Sequence, residues 1–369
     1  MKLRSLFLAA LSAMAITVGF TSCSDDDDWS WEKAGSKIEM NQKRAFVLNE
    51  GSMNKNNATM TYFDWATDEV YEGDLFMAQN KIAMGDVAQD IIVGDDNNLY
   101  VIMSSSKIIY KLNNVGVLYK LNNEGVRQNY LSVAEELGDP RYGVYEDGYL
   151  YVTCYGGYVA KIDTKTMKIV ANVQIGLNPE YIVEENDKLY CTCSGWGKDK
   201  RVAVIDMKTF DKATYFDVMD NPDRIIEVDD HIFVQGYGQY MNYPWGELNT
   251  KTGEFKELGS ASAWTSYRNT LYLAYSETNW TTHATTTTFY SYDVKTGTKS
   301  EGSFLKNAPK ELGSSSVYGM NVNEYTGDIY VMTSDFANNG KIYHFKNDGT
   351  FVKVFESTGV NPRKIVFLK

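Results

Sequence analysis

The residues of this 369-residue sequence best suited to chemistry are aromatics set among amides, glycines and serines. They occur in "NEGSMNKNN", "SSSK", "YGGY", "SGWGKDK", "GYGQYMNYP", "SETNWTTHATT" and "SDFANNGK". These segments hold Tyr155, Tyr158, Trp196, Tyr237, Tyr240, Tyr243, Trp280 and Phe336, and Trp245 directly follows the fifth. Tyr and Trp supply rigid amphipathic contact area and Asn, Ser and Gly supply adaptable hydrogen bonds, a mixture suited to recognition more than to bond cleavage. Any one of these aromatics can instead pack between structural units. A second set stands at the third position of a recurring phrase: Asp90 in "AQDIIVGDDNNLY", Arg141 in "DPRYGVYEDGYLY", Glu180 in "NPEYIVEENDKLY", Asp223 in "NPDRIIEVDDHIF" and Arg363 in the closing "NPRKIVFLK". Interleaved charges of this kind either satisfy one another as a salt-bridged plug or offer donors and acceptors to a polar ligand. Asn178, Asn221 and Asn361, each before a proline, read as turn residues held extended.

Catalytic chemistry finds little support. The three histidines, His231, His283 and His344, share no repeat position, and no CxxC, Cys/His pair or GxSxG is present. A metal centre, a resident cofactor and an enzymatic role are therefore not expected. Besides Cys23 there are Cys154, Cys191 and Cys193. Cys154 of "LYVTC" and Cys193 of "LYCTC" occupy one repeat position, so they pair as a disulfide across neighbouring units or, the simpler reading, fill buried strand positions.

The recurring phrase implies the elements that position these side chains. After each phrase comes a strand, a variable loop and a further alternating run that meets hairpin residues, as in "YVAKIDTKT", "VAVIDMKT", "WGELNTKTG", "FYSYDVKTG" and "IYHFKNDG". The unit is a four-stranded antiparallel meander. Its second strand is marked by Phe46, Tyr100, Tyr151, Tyr190, Phe233, Tyr272 and Tyr330, roughly 40 to 60 residues apart, which predicts an all-β seven-bladed propeller over residues 43–369. The sequence ends on a first strand and the domain begins on a second, so one blade is expected to be completed from both termini. In such a ring the first strands line a channel, and the loops leading into them share a face with the aromatic loops. The doubled "YKLNN" at 110–114 and 119–123 is read as a third strand, a turn and an outer strand, because a nine-residue insertion in one strand would invert its faces.

Residues 1–22 carry Lys2, Arg4, the apolar run "LFLAALSAMAITVGF" and small residues before Cys23, the pattern of a lipoprotein signal peptide cleaved ahead of a lipidated cysteine. A tether over 23–42 follows. Its "SDDDD" is a solvated spacer or an address for export to the cell surface. Losing residues 1–22 removes two positive charges, taking the formal net charge from −12 to −14. So acidic a domain argues against nucleic acid and anionic lipid as partners; lipid at Cys23 is the expected membrane attachment.

The phrase "NPxxI…LY", the opening "VLNEGSMNKNNATMTYFD" and the late "TGDIYVMTSDFANNGKIYHFKNDG" resemble YncE-like surface propellers of Bacteroidetes, and among them the BtuG-type lipoproteins. The resemblance implies a non-enzymatic lipoprotein on the outer face of the outer membrane that captures cobalamin or another corrinoid as a transported ligand and delivers it to a TonB-dependent transporter. The expected ligand contacts are Arg141, Tyr155, Tyr158, Glu180, Trp196, Tyr237, Tyr240, Tyr243, Trp280, Phe336 and Arg363. The alternative is a glycan-binding propeller of a polysaccharide uptake system, which would stack the same aromatics on sugar rings.

Replacing Cys23 by Ala should release or mislocalise the protein, and neutralising Asp25 to Asp28 should leave it lipidated but facing inward. Protease shaving of intact cells checks this: the wild-type protein should be cleaved, and its full protection would contradict surface display.

Overall fold

A computed structural model describes residues 35–118, 129–279, 281–282 and 284–369. Among them the chain forms seven four-stranded antiparallel sheets, a seven-bladed β-propeller. The innermost strands are Pro362–Leu368 (blade 1), Ala88–Val93 (blade 2), Pro140–Glu146 (blade 3), Pro179–Glu185 (blade 4), Pro222–Val228 (blade 5), Ala263–Tyr267 (blade 6) and Ser316–Val322 (blade 7). Each of the aromatics from Phe46 to Tyr330 that marked the repeat lies in the second strand of its blade. Most are fully buried, because alternate residues of a strand sandwiched between neighbouring blades face one apolar layer and then the other.

Blade 1 is built from both ends of the domain. Pro362–Leu368 pairs antiparallel with Arg44–Asn49, matching Ala45 with Phe367 and Val47 with Ile365. The Trp65 indole donates to the Leu368 carbonyl at 2.9 Å. Phe63, Tyr330, Ile365 and Phe367 then form one apolar cluster across blades 1 and 7. Burying each such side chain is worth roughly 1.5–3 kcal/mol. The last part of the expected tether is not free of the fold: Ile38 and Met40 pack against the blade 1 core, and Asn41 donates to Asp64 at 2.6 Å. The signal peptide, Cys23 and the acidic run lie outside the described residues.

Repeated polar contacts lock neighbouring blades together. Thr153 and Thr192, equivalent residues of two second strands, donate to the backbone carbonyls of Glu180 and Asp223 in the next blade, at 2.5 and 2.7 Å. Cys154, Cys191 and Cys193 are free, buried thiols, so the disulfide alternative is not realised; burial pushes Cys154 and Cys193 up to about 12. The first "YKLNN" ends the third strand of blade 2, Ile108–Leu112, and turns at Asn113. The second copy lies outside the described residues, and the outer strand that is described is Tyr130–Ser132. No helix among the described residues is long and apolar enough to cross a membrane.

A buried histidine ties blade 7 to blade 1. His344 Nδ1 lies 2.7 Å from Asp68 Oδ2 and Nε2 lies 3.1 Å from Asp328 Oδ2, with the ring stacked on Tyr330. Lys346 also approaches Asp328, and Lys353 donates to the Asp68 carbonyl. Burial alone would lower the imidazole pKa, but the bonds to Asp328 and Asp68 outweigh it and the net shift is upward. The stabilisation is therefore complete below the ordinary histidine value of about 6.5 and is lost as pH rises through the higher folded value. Removing one member of a buried pair costs about 3–5 kcal/mol. His344→Gln should lower the unfolding midpoint most at acidic pH and flatten this part of the pH profile. Equal destabilisation across the range, measured by urea melts, would contradict a charged His344.

Candidate functional site

The site begins with a backbone irregularity. In six blades the pairing of the innermost strand with the second slips near its first residues, after Ala88, Pro140, Pro179, Pro222, Val317 and Pro362. A bulge of this kind leaves a residue unpaired and re-aims its side chain. The residues so placed are Gln89, Arg141, Glu180, Asp223, Tyr318 and Arg363, and all six line one cavity. This corrects the expectation for Asp90: Gln89 holds the ring position in blade 2. Asp90 sits one residue deeper, accepting from Lys364 Nζ at 2.6 Å and from the Gly143 N–H at 3.1 Å.

The residue before the innermost strand shapes the mouth. Asn178, Asn221 and Asn361 are not extended, as expected, but left-handed, with φ of 50°, 55° and 60°; Val87 matches them in blade 2 at 55°. Asn tolerates this conformation better than most residues. It directs each carbonyl at the first residue beyond a second strand: Ser194 N–H donates to Asn178, Tyr237 to Asn221 and Glu50 to Asn361. The loop into one strand and the loop leaving the next are thereby pinned to each other.

The resulting funnel has a volume of about 1310 Å³ and opens between these loops. Its floor is a network of buried charge. Arg141 donates through Nε and Nη2 to Glu180 Oε2 at 3.1 and 2.9 Å, and through Nη1 to Gln89 Oε1 at 2.7 Å. Tyr155 donates to the other Glu180 oxygen at 2.6 Å. Arg363 donates to Glu50 and to the Tyr142 hydroxyl, and Tyr318 also donates to Glu50. Tyr142 stacks on Tyr181 with centroids 3.5 Å apart. Arg224 approaches Asp223 through Nε, at 3.5 Å. Burial raises the Glu180 carboxyl to about 7 against the pull of Arg141, and burial likewise raises Asp223 against Arg224, Arg141 and Arg363.

The wall is aromatic. Trp196 is 71% and Phe336 60% exposed, and both are left-handed, with φ of 53° and 63°. Each donates its N–H to a serine hydroxyl two residues earlier, Trp196 to Ser194 and Phe336 to Ser334. Each ring meets a floor tyrosine edge-on, Trp196 against Tyr155 at 6.1 Å and Phe336 against Tyr318 at 5.7 Å. Bulky side chains at positive φ are strained, and such strain concentrates at binding sites.

Of the expected contacts, Arg141, Tyr155, Glu180, Trp196, Tyr237, Phe336 and Arg363 line the funnel. Tyr158 does not: it starts the third strand of blade 3 and packs with the apolar cluster between blades 2 and 3. Trp245 is wholly buried, its indole donating to the Tyr290 hydroxyl at 2.7 Å. Tyr240 is 86% exposed outside the lining, and Tyr243, also outside it, meets the Tyr237 ring at a tilt with centroids 5.7 Å apart. Trp280 lies outside the described residues. Sequence reasoning missed Glu50, Gln89, Tyr142, Arg224 and Tyr318, together with Met53 and Met241 at the rim. A signal existed for Tyr142 and Arg224, which follow the repeated third position directly; none marked Tyr318, whose blade lacks the Pro-containing phrase.

No protein-family model matches the sequence, and no curated protein matches it. Solved structures do resemble it. A quinoprotein alcohol dehydrogenase-like protein from Bacteroides thetaiotaomicron aligns with a TM-score of 0.58 at 14% identity, over 87% of this chain and 78% of that one. A catalytically inactive virginiamycin B lyase from Staphylococcus aureus, solved with quinupristin, aligns at 0.54 and 14%, over 82% and 96%. The WD40 domain of Neurospora crassa Pan2 aligns at 0.50 and 10%, over 72% and 79%. At these identities the similarity shows the β-propeller fold, which hosts enzymes and non-enzymes alike.

Proposed function

We propose that this propeller is a non-enzymatic capture protein that binds one cobalamin or related corrinoid in the funnel, held at the cell surface by lipid on Cys23, and passes it to a TonB-dependent outer-membrane transporter. The observation that carries the reading is the funnel itself: about 1310 Å³, with exposed Trp196 and Phe336 on its wall and a floor of fixed hydrogen-bonding groups. A corrinoid is a broad disc fringed with amides. Its faces suit aromatic edges, and its fringe suits Tyr, Asn and Arg donors set around a ring. Binding is favoured because the blades hold these groups in place before the ligand arrives, which lowers the ordering cost of association. Capture without turnover accords with the floor chemistry. The Arg141 and Glu180 side chains are spent on each other, the Tyr155 hydroxyl beside Glu180 is held as its hydrogen-bond donor, and no histidine is among the described lining residues.

Titration calorimetry with cyanocobalamin should give saturable one-to-one binding without product formation. Removing a buried aromatic anchor costs about 2 kcal/mol, or roughly 30-fold in Kd, so Trp196→Ala or Phe336→Ala should show a loss of that size, whereas Tyr240→Ala should change little. Saturable heat with a plant or host glycan and none with the corrinoid would move the protein to polysaccharide uptake.

A further inference from the structure

Three arginines reach the funnel floor, and they are not equally engaged. Arg141 is held by Glu180, Gln89 and Ser104, and Arg363 by Glu50 and Tyr142. Arg224 is different. Its Nε faces Asp223 at 3.5 Å, its guanidinium lies 5.7 Å from the Tyr181 ring centroid, and its two terminal nitrogens donate to no described residue. Its side chain is nevertheless only 18% exposed. A guanidinium carries five N–H donors, and no nitrogen of Arg224 is among the buried polar atoms left without a partner, so its unpaired edge is open to the cavity. The free edge is also accessible from within, because Arg224 lines both the funnel and a second chamber of about 230 Å³ beneath it.

The three arginines differ in how closely their charges are answered. Arg141 and Arg224 each lie close enough to Arg363 to be repelled by it. Glu50 and Glu180 answer the charges of Arg363 and Arg141 through short hydrogen bonds, which leaves Arg224 with Asp223 at 3.5 Å. The Tyr237 hydroxyl lies within the fields of Asp223 and Arg224, and like that of Tyr181 it makes no hydrogen bond among the described residues. We propose that the funnel floor contains an oxyanion subsite in which Arg224 presents its free guanidinium edge, with Tyr237 beside it, to a phosphate, phosphodiester or carboxylate group of the ligand. The planar fork matches two oxygens of such a group. The subsite deepens the capture reading, on which its choice of ligand rests: a corrinoid that retains its phosphodiester is selected over one that has lost it.

The test uses the mature chain and three probes: cyanocobalamin, dicyanocobinamide, which keeps the ring but lacks the phosphodiester, and inorganic phosphate. Arg224→Gln should weaken cyanocobalamin by about tenfold or more and leave dicyanocobinamide within about twofold, since a single charge-assisted contact is being removed. Phosphate should compete with cyanocobalamin for the wild-type protein. Equal loss for both corrinoids, or no loss for either, overturns the subsite. If the wild-type protein binds neither corrinoid, the capture reading fails, and phosphate alone decides the subsite. A saturable phosphorus-31 shift seen with wild type and lost in Arg224→Gln supports it, and no difference between the two overturns it. Should Arg224→Gln not fold, Arg224→Lys keeps the charge but not the fork; an intermediate loss confined to cyanocobalamin supports the proposal, and wild-type affinity overturns it.

Discussion

Everything in this molecule depends on closure of the ring through antiparallel pairing of Pro362–Leu368 with Arg44–Asn49. Seven blades surround one axis only if the first and last are joined, and here the joint is a sheet ladder within blade 1 rather than a contact between blades. The ladder removes the sheet edges that an open ring would expose. It also places Arg363, at the head of the last strand, beside Glu50, at the end of the first. The closing strand thus contributes to stability and to the funnel floor at once, and His344 reinforces the adjoining joint between blades 7 and 1 through Asp68.

The bulge at the head of the innermost strands converts closure into a site. A regular strand would turn alternate residues towards its two neighbouring blades; the slip of register instead aims Arg141, Glu180, Asp223, Tyr318 and Arg363 into a common space. Charges gathered from separate blades into a confined volume must neutralise one another or neutralise by protonation. Arg141 pairs with Glu180, and burial pushes the Glu180 carboxyl upward against that pairing. The floor is therefore closely matched at Arg141 and Arg363 and less closely at Arg224.

Fold and site were legible to different depths. The blade count, the strand order and the shared blade were readable because the phrase around Tyr100, Tyr151, Tyr190 and Phe233 repeats a period-two pattern with fixed turn chemistry. The face on which the funnel opens followed from the same repeat, and Trp196, Tyr155 and Phe336, aromatics in loops that cannot all be core, line it. What the sequence concealed was register. Counting from the phrase places Asp90 with Arg141, but blade 2 lacks the proline, and the bulge falls on Gln89. The asparagines before proline looked extended because the usual steric rule excludes only the right-handed helical region; the left-handed alternative, taken at Asn178, Asn221 and Asn361, depends on carbonyls being drawn to amides many residues away. Tyr158 and Trp245 share the composition of binding aromatics, and only the sheet pairing shows that they face neighbouring blades.

We propose that the funnel, and no other surface, receives the ligand. A crystal structure of the mature domain grown with cyanocobalamin tests it most directly. One corrinoid is expected at the mouth of the channel, its ring between Trp196 and Phe336 and an oxyanion oxygen within hydrogen-bonding distance of Arg224. A funnel filled only by solvent, with the corrinoid on the opposite face or on the outer strands, would contradict it.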